Sequence, residues 1–198
     1  MEVPEIQEGI VHIKSISREA GSRTKMAVKS TDENIDPIGA CVGTQGARVR
    51  NIVDELGDEK IDIVKYSDDP ATFIEAALSP SKVTRVFIDE ANKSAIVIVP
   101  DYQLSLAIGK EGQNARLAAR LTNWKIDIKP ESEFGPDEEA ALLEEIESNQ
   151  IAAEEEAKRM AKEAELKAEK VNDDQVEANE ANDTSELEVQ EAKEEIEE

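Results

Sequence analysis

Residues 38–48 read Ile38-Gly39-Ala40-Cys41-Val42-Gly43-Thr44-Gln45-Gly46-Ala47-Arg48: a short apolar helical segment, a Gly-x-x-Gly turn and the beginning of a second helix. Two glycines three positions apart let the backbone turn sharply and leave it bare at the surface, because neither carries a Cβ atom. The helix that follows points free N–H groups and a partial positive charge at this turn. Such a turn is suited to holding a phosphate group, although a single Gly-x-x-Gly is more often an ordinary connection between helices.

The same arrangement occurs a second time at residues 104–114, which read Leu104-Ser105-Leu106-Ala107-Ile108-Gly109-Lys110-Glu111-Gly112-Gln113-Asn114. The first glycines of the two turns, Gly43 and Gly109, are 66 residues apart. The tetrapeptide Lys-Ile-Asp-Ile follows each turn, at residues 60–63 and 125–128, with an offset of 65. Two copies of one unit predict tandem domains rather than a solenoid, which needs at least about three repeats.

Each copy has the same predicted order of elements: helix, strand, strand, helix, helix, strand. This order predicts an α+β fold in which each copy packs a three-stranded sheet on helices. In the first strand the apolar alternation slips after Ile13, which predicts a β-bulge near Lys14–Ser15. Asp36 and Asp69, each followed by proline, are predicted N-caps of the helices that they precede.

Charge divides the chain into two parts. The 198 residues carry a net charge of −23, but residues 1–130 hold 17 Lys and Arg against 20 Asp and Glu, a net charge of −3. The remaining −20 lies in residues 131–198, so the overall acidity describes a tail and does not exclude nucleic acid as a partner. The single Cys41 permits no internal disulfide and suits a reducing, cytoplasmic compartment. No apolar run is long enough to cross a membrane.

The predicted domains are residues 1–66, residues 67–130 and an acidic tail over residues 131–198. The linker between the first two is so short that it should hold them in one orientation. The tail is rich in Ala, Glu and Lys, and we expect a solvated helix over about residues 137–170 with disorder from about Asn172. Its apolar stripe consists mostly of alanine, which is too small to support a core.

The order αββααβ with Gly-x-x-Gly between the paired helices resembles the type II KH domain. The stretch Asp36–Gly43 is similar to the first KH signature of the NusA family of bacterial transcription termination/antitermination proteins, and Ile108–Ala119 is similar to the second. The resemblance covers residues 1–130. Against this family the chain begins inside the first helix of the first KH domain, so we expect that helix to be truncated and the family's N-terminal and S1 domains to be missing.

The resemblance implies binding of single-stranded nascent RNA by a monomeric cytoplasmic factor for transcription elongation, termination and antitermination. It also implies an association with the RNA polymerase elongation complex, which the family makes mainly through the N-terminal domain. The residues show no nucleophile–base pairing, Walker A sequence or metal-ligand spacing, so we expect no catalysis, cofactor or metal. Two other classes stay open: a KH region of an RNA-processing enzyme, and a protein–protein adaptor that acts through the acidic tail.

KH domains hold single-stranded RNA with a Gly-x-x-Gly loop that clamps about four nucleotides of backbone. We therefore expect both loops to follow phosphates, together with arginines of the next helices and basic residues of the first hairpin. The predicted RNA-binding residues are Gly43, Thr44, Gln45, Gly46, Arg48, Arg50, Gly109, Lys110, Glu111, Gly112, Asn114, Arg116, Arg120, Arg23 and Lys25. Only six aromatic residues occur in the chain, so we expect the bases to lie on an aliphatic groove rather than on aromatic platforms.

Several features have an ordinary structural interpretation. The first hairpin holds five cations and one acid, and it is either part of an RNA surface or a solvated face: Lys14, Arg18, Arg23, Lys25 and Lys29 with Glu19. His12 has no partner at a motif spacing and is expected to be a strand side chain. Cys41 is expected to be a small core residue.

Overall fold

The computed structural model describes residues 2–57 and 59–163 of the chain. Residues Met1–Gln150 form one compact unit, and a second unit begins at Ile151. None of the helices in the described residues has the length and hydropathy that a membrane span requires.

The first domain consists of α1 (Pro4–Gln7), β1 (Val11–Glu19), β2 (Arg23–Ser30), α2 (Pro37–Val42), α3 (Ala47–Glu55) and β3 (Lys60–Lys65). Its sheet has the order β1-β2-β3, with β1 antiparallel and β3 parallel to β2. The register of β1 slips between Ile13 and Ser15, which confirms the predicted bulge. The Asp36 carboxylate accepts hydrogen bonds from the amides of Ile38 and Gly39, so the predicted N-cap of α2 is also confirmed.

The second domain repeats this architecture with α4 (Pro70–Ala77), β4 (Arg85–Asp89), β5 (Ser94–Val99), α5 (Asp101–Ile108), α6 (Gln113–Thr122) and β6 (Lys125–Pro130). Its sheet has the order β4-β5-β6, again with one antiparallel and one parallel pair. Asp69 caps α4 by accepting from the amide of Thr72 at 2.9 Å. The predicted α+β fold, with two three-stranded sheets packed on helices, is therefore confirmed.

The core of the first domain contains the apolar side chains of one face of its sheet, which the alternation of apolar and polar residues along the strands predicts to be buried. Val11 and Val28 are buried there together with Cys41, as predicted for a small core residue. Burial raises the pKa of the Cys41 thiol, so this sulfur is unreactive at neutral pH. His12 is an exposed side chain of β1, as expected.

The two domains pack directly on each other. Ala27 and Val64, on strands of the first domain, are buried in one apolar cluster with Ile74 and Leu78 of the second domain. The other face of β2 is buried too, since Val28 is fully enclosed in the first domain's own core. A shared apolar core therefore holds the two domains in one orientation, in addition to the short linker.

The compact unit continues past residue 130, where the sequence predicts that the second domain ends. Phe134 is buried against Phe87, with their ring centroids 5.3 Å apart. Asn149 donates a hydrogen bond to the Asp89 carboxylate at 2.9 Å. The interpretation of residues 131–150 as part of a solvated tail is therefore wrong. The side chain of Phe134 and one face of the helix that begins at residue 136 pack on β4.

Residues 136–163 are helical, which agrees with the predicted tail helix over the residues that the structure describes. Up to residue 150, the half-buried side chains recur at helical spacing: Glu139, Leu142, Ile146 and Asn149. The residues of the predicted alanine stripe that are described, Ala153, Ala157 and Met160, are exposed. The predicted continuation to residue 170 and the disorder expected from Asn172 lie outside the described residues.

Candidate nucleic-acid interface

The two Gly-x-x-Gly loops have nearly the same backbone conformation. Their first glycines, Gly43 and Gly109, have φ of 72° and 76° with ψ of 176° and 173°. The third residue of each loop is left-handed without being glycine: Gln45 has φ 52° and ψ 26°, and Glu111 has φ 54° and ψ 27°. This agreement is independent of the side chains between the glycines, which differ completely.

The first glycine of each loop is required by space as well as by conformation. A Cβ atom on Gly43 would lie 2.6 Å from Cγ of Arg48, and one on Gly109 would lie 2.8 Å from the backbone nitrogen of Asn114. Real Cβ atoms do not approach other heavy atoms so closely. Each loop therefore lies tightly against the first turn of the helix behind it.

Hydrogen bonds at the first loop use the N–H groups of both its glycines and that of Ala47, the first residue of α3. The amide of Gly43 donates to Gly39, that of Gly46 donates to the carbonyl of Gly43, and that of Ala47 donates to Thr44. The amides of Thr44 and Gln45, which are both exposed residues, are not used in these bonds. They are the two amides of the loop that these bonds leave as donors for an acceptor outside it.

The second loop repeats this scheme. The amide of Gly112 donates to the carbonyl of Gly109 at 3.2 Å, and that of Gln113 donates to Lys110. The corresponding donor pair consists of the amides of Lys110 and Glu111, whose side chains are both exposed. One lysine and one glutamate leave this loop without a net charge.

Two of the predicted RNA-binding residues lie behind the loops, where their side chains donate hydrogen bonds to carbonyls in the helices that precede the loops. Arg48 donates to the carbonyl of Ala40 at 2.6 Å and forms an ion pair with Glu5 at 2.8 Å. Asn114, at the equivalent position of the second copy, donates to the carbonyl of Ala107 at 2.9 Å and is 1% exposed. The prediction that Asn114 contacts RNA is therefore wrong in this fold, because the last carbonyls of α5 occupy its amide.

The remaining predicted arginines of α3 and α6 lie on exposed faces of these helices, behind the loops. Arg50 of α3 donates to the carbonyl of Gln45, and Arg116 of α6 donates to the carbonyl of Glu111 at 3.1 Å. Arg120 lies one turn further along α6 and is also exposed.

The basic first hairpin is largely neutralised by acids of β3 and its flanks. The ion pairs of its cations are Arg18 with Glu59, Arg23 and Lys25 with Asp62, and Lys29 with Asp68. Lys14 instead lies over the ring of Tyr66, 5.6 Å from the ring centroid. The hairpin is thus a paired face of the domain rather than a free basic patch.

Lys25 is fully buried, which corrects its assignment to the RNA-binding surface. Its Nζ atom donates to the carbonyl of Ser79 at 2.7 Å and lies 3.2 Å from the Asp62 carboxylate. Burial lowers the pKa of its ammonium group. Lys25 is buried because the second domain packs over this face of β2. The alternation of apolar and polar residues along the strand predicts that this face is exposed to solvent.

Glu59, the residue immediately before β3, is a buried carboxylate that holds the first hairpin to the start of this strand. It accepts hydrogen bonds from Arg18 at 2.8 and 2.9 Å, from the Thr24 hydroxyl at 2.5 Å and from the Gly21 amide at 2.9 Å. These donors, Arg18 first, lower the pKa of Glu59 from 4.5 to about 2. The folded pKa lies below the unfolded one, so the stability that Glu59 contributes is present above about pH 4.5 and is lost as the pH falls towards 2.

We expect Glu59→Gln to lower the melting temperature by several degrees near neutral pH and by clearly less near pH 3. At pH 3 Glu59 is protonated in the unfolded chain but still mostly ionised in the folded one, so unfolding gains a proton and the ionised carboxylate stabilises the fold less. Thermal unfolding of both chains at the two pH values measures this difference. Glu55→Gln, a change at an exposed position of α3, is the control and should leave the melting temperature unaltered. Equal losses at both pH values would contradict the ionised state of Glu59.

An aliphatic cavity of about 290 Å³ opens between α3 and the sheet of the first domain. Its lining includes Ile16, Met26, Val49, Ile52 and Ile63. Ile16 is 56% exposed. The sequence leads us to expect an aliphatic surface for bases, and the use of this cavity for bases stays a prediction.

Sequence reasoning missed the acids that hold the helices behind the loops. Glu5 pairs with Arg48 across 43 positions of sequence, and Glu19 pairs with Arg116 across 97. No local signal in the sequence marks either of them. Only the assembled fold shows that Arg48 and Arg116 are both ion-paired.

Two αββααβ domains, each with a glycine-bounded loop between its paired helices, define a tandem type II KH protein, a class of nucleic-acid-binding fold. Residues 1–66 match the family model of the NusA-like first KH domain, and residues 70–135 match that of the NusA-like second KH domain. The chain belongs to the NusA family, and it contains the two KH domains of that family in tandem.

Curated relatives agree with this assignment. The chain is 60% identical over 144 residues to a protein of Halalkalibacterium halodurans, covering 73% of this chain and 37% of the relative. It is 61% identical over 133 residues to a protein of Bacillus subtilis, covering 67% of this chain and 36% of that relative. It is 59% identical over 130 residues to a protein of Mycobacterium tuberculosis, covering 65% of this chain and 38% of that relative. Each is named transcription termination/antitermination protein NusA, a transcription protein and not an enzyme. The chain spans little more than a third of their length.

Proposed function

We propose that this chain binds single-stranded RNA through its two Gly-x-x-Gly loops, as the RNA-binding part of a NusA-like factor in transcription elongation, termination and antitermination. The observation that carries the proposal is the pair of loops with one backbone conformation, each with two exposed amides not used inside the loop. Both loops belong to one compact unit, so a single strand can meet them in a defined order.

The chemistry assigned to each loop is the recognition of a phosphate by backbone N–H groups. The amides of Thr44 and Gln45 donate to one phosphate, and those of Lys110 and Glu111 donate to another. Because no side chain in the first loop is charged, its affinity for a phosphate rests on these backbone dipoles. The aliphatic cavity beside α3 is the proposed place for bases, which fits a strand whose bases are unpaired.

The proposed partners are nascent RNA and the RNA polymerase elongation complex, in the cytoplasm. Their support is the family of the chain and the name that its relatives carry. The RNA is assigned to the two KH domains. The polymerase is assigned to the whole factor, of which these residues correspond to a little more than a third.

Fluorescence anisotropy with a labelled, unstructured RNA dodecamer tests the proposal directly. We expect single-stranded RNA to bind at least about tenfold more tightly than a duplex of the same sequence, because the loops clamp an unpaired backbone. The label should remain on intact RNA throughout, as required of a binding protein. Equal affinity for both forms, or cleavage of the RNA, would overturn the proposal.

A further inference from the structure

We propose that Arg50 and Arg116 are positioning residues that brace the two loops, and that the first domain holds the brace of the second loop through Glu19. The proposal rests on the proposed RNA-binding function, which it deepens. It assigns to Arg116 a structural contact with Glu111 and Glu19 in place of a direct contact with phosphate.

The brace is the same contact made twice. Arg50 and Arg116 are 66 positions apart, at equivalent places in the repeat, and each guanidinium donates to the carbonyl of the third loop residue. That residue is left-handed in both loops although it is not glycine, a conformation that side chains adopt at some cost. Two independent copies of one contact at one strained residue indicate a function in setting the loop.

The brace controls which groups face the ligand. The peptide that follows Gln45 is held at both ends, since Arg50 binds its carbonyl and its N–H, which belongs to Gly46, donates to Gly43. If this peptide turned over, the carbonyl of Gln45 would face the carbonyl of Gly43, and the turn would lose both hydrogen bonds. With the peptide held, the loop keeps the conformation in which the amides of Thr44 and Gln45 are not used inside it.

The brace of the second loop, Arg116, is attached to the first domain. The brace of the first loop, Arg50, has no such attachment among the described residues. Arg116 Nε lies 2.7 Å from the Glu19 carboxylate, and Gln113, the first residue of α6, donates to both Glu19 and the Ser22 hydroxyl at 2.8 Å. Glu19 and Ser22 lie at the turn between β1 and β2. These donors, Arg116 first, lower the pKa of Glu19 to about 2, so it is ionised at neutral pH. Among the described residues, no carboxylate forms an ion pair with Arg50.

A direct role of Arg116 in binding phosphate leads to the opposite expectation. In that case Glu19 would compete with RNA for the guanidinium, and neutralising Glu19 would free Arg116 and raise the affinity. If Arg116 is a brace held by Glu19, neutralising Glu19 loosens the second loop and lowers the affinity. The sign of the effect therefore separates the two roles.

The experiment compares Glu19→Gln and Arg116→Lys with the unaltered full chain, using an RNA dodecamer. We expect each variant to bind about five- to tenfold more weakly, because a lysine keeps the charge but cannot reach Glu19 and the Glu111 carbonyl together. Glu33→Gln and Arg159→Lys make the same chemical changes at exposed positions and should bind like the unaltered chain.

Amide NMR spectra of the RNA-free chains supply a readout that a general loss of stability would not produce. In both variants the resonances of Lys110 and Glu111 should shift, while those of Thr44 and Gln45 stay in place. A higher or unaltered affinity of Glu19→Gln, or normal binding by Arg116→Lys, would overturn the brace. If the unaltered chain binds no RNA, the proposed function fails, and unshifted resonances of Lys110 and Glu111 would overturn the brace separately.

Discussion

Replacing Thr44 and Gln45 together with aspartate is expected to lower the affinity for unstructured single-stranded RNA about 100-fold. The two carboxylates would stand where the loop amides meet a phosphate, and repulsion of about 3 kcal/mol in total corresponds to that factor. The fold should survive, because both side chains are exposed and aspartate tolerates the left-handed conformation of Gln45. Anisotropy titrations measure the affinity, and circular dichroism should be unaltered.

The matched control is replacement of Thr44 and Gln45 by asparagine, which has the shape of aspartate without its charge. We expect this control to bind within about twofold of the unaltered chain, since only the charge repels phosphate. Aspartate at Lys110 and Glu111 produces the same loop charge in the second domain and should also reduce binding strongly. Retained affinity in both aspartate variants would remove the loops from the RNA-binding site.

Affinity is expected to rise about 100-fold or more once an oligonucleotide is long enough to reach both loops. Each loop clamps about four nucleotides, so the rise should occur at about eight or more. The second engagement is then intramolecular and gains from a high effective concentration. The shared apolar core of Ala27, Val64 and Ile74 supports this gain, because it holds the two loops in one orientation.

Titrations with unstructured RNAs of four to about sixteen nucleotides measure this dependence, and the salt slope is a second observable. Each additional neutralised phosphate on a single strand steepens the slope by about 0.7. The chain with aspartate at Lys110 and Glu111 is the control, because its affinity should rise only gradually with length. If a tetranucleotide binds as tightly as a dodecamer, with the same salt slope, the two domains do not form one site.

The features that the sequence predicts correctly depend on residues close together in the chain. The Gly-x-x-Gly turns, the Asp36 and Asp69 caps and the bulge after Ile13 are each decided within about five residues. Hydrogen bonds of caps and turns form inside such short segments whatever surrounds them. The same local patterns occur in both copies of the repeat. For this reason the αββααβ order of both domains follows from the sequence.

The features that only the tertiary structure decides depend on surfaces that meet from distant parts of the chain. Alternation shows that one face of β2 is apolar, but it does not show that the second domain covers the other face and buries Lys25. The charge of residues 131–150 hides the packing of Phe134 on Phe87.

The same limit applies to the candidate site. The sequence by itself determined two glycine loops, their order in the chain and the fold that carries them. It assigned Asn114 to the ligand, and the structure assigns it to the end of α5. It assigned Arg116 to RNA binding, and the structure pairs this residue with Glu19 of the other domain. Side-chain partners were decided by tertiary packing, because an ion pair depends on which surfaces meet and not on spacing along the chain.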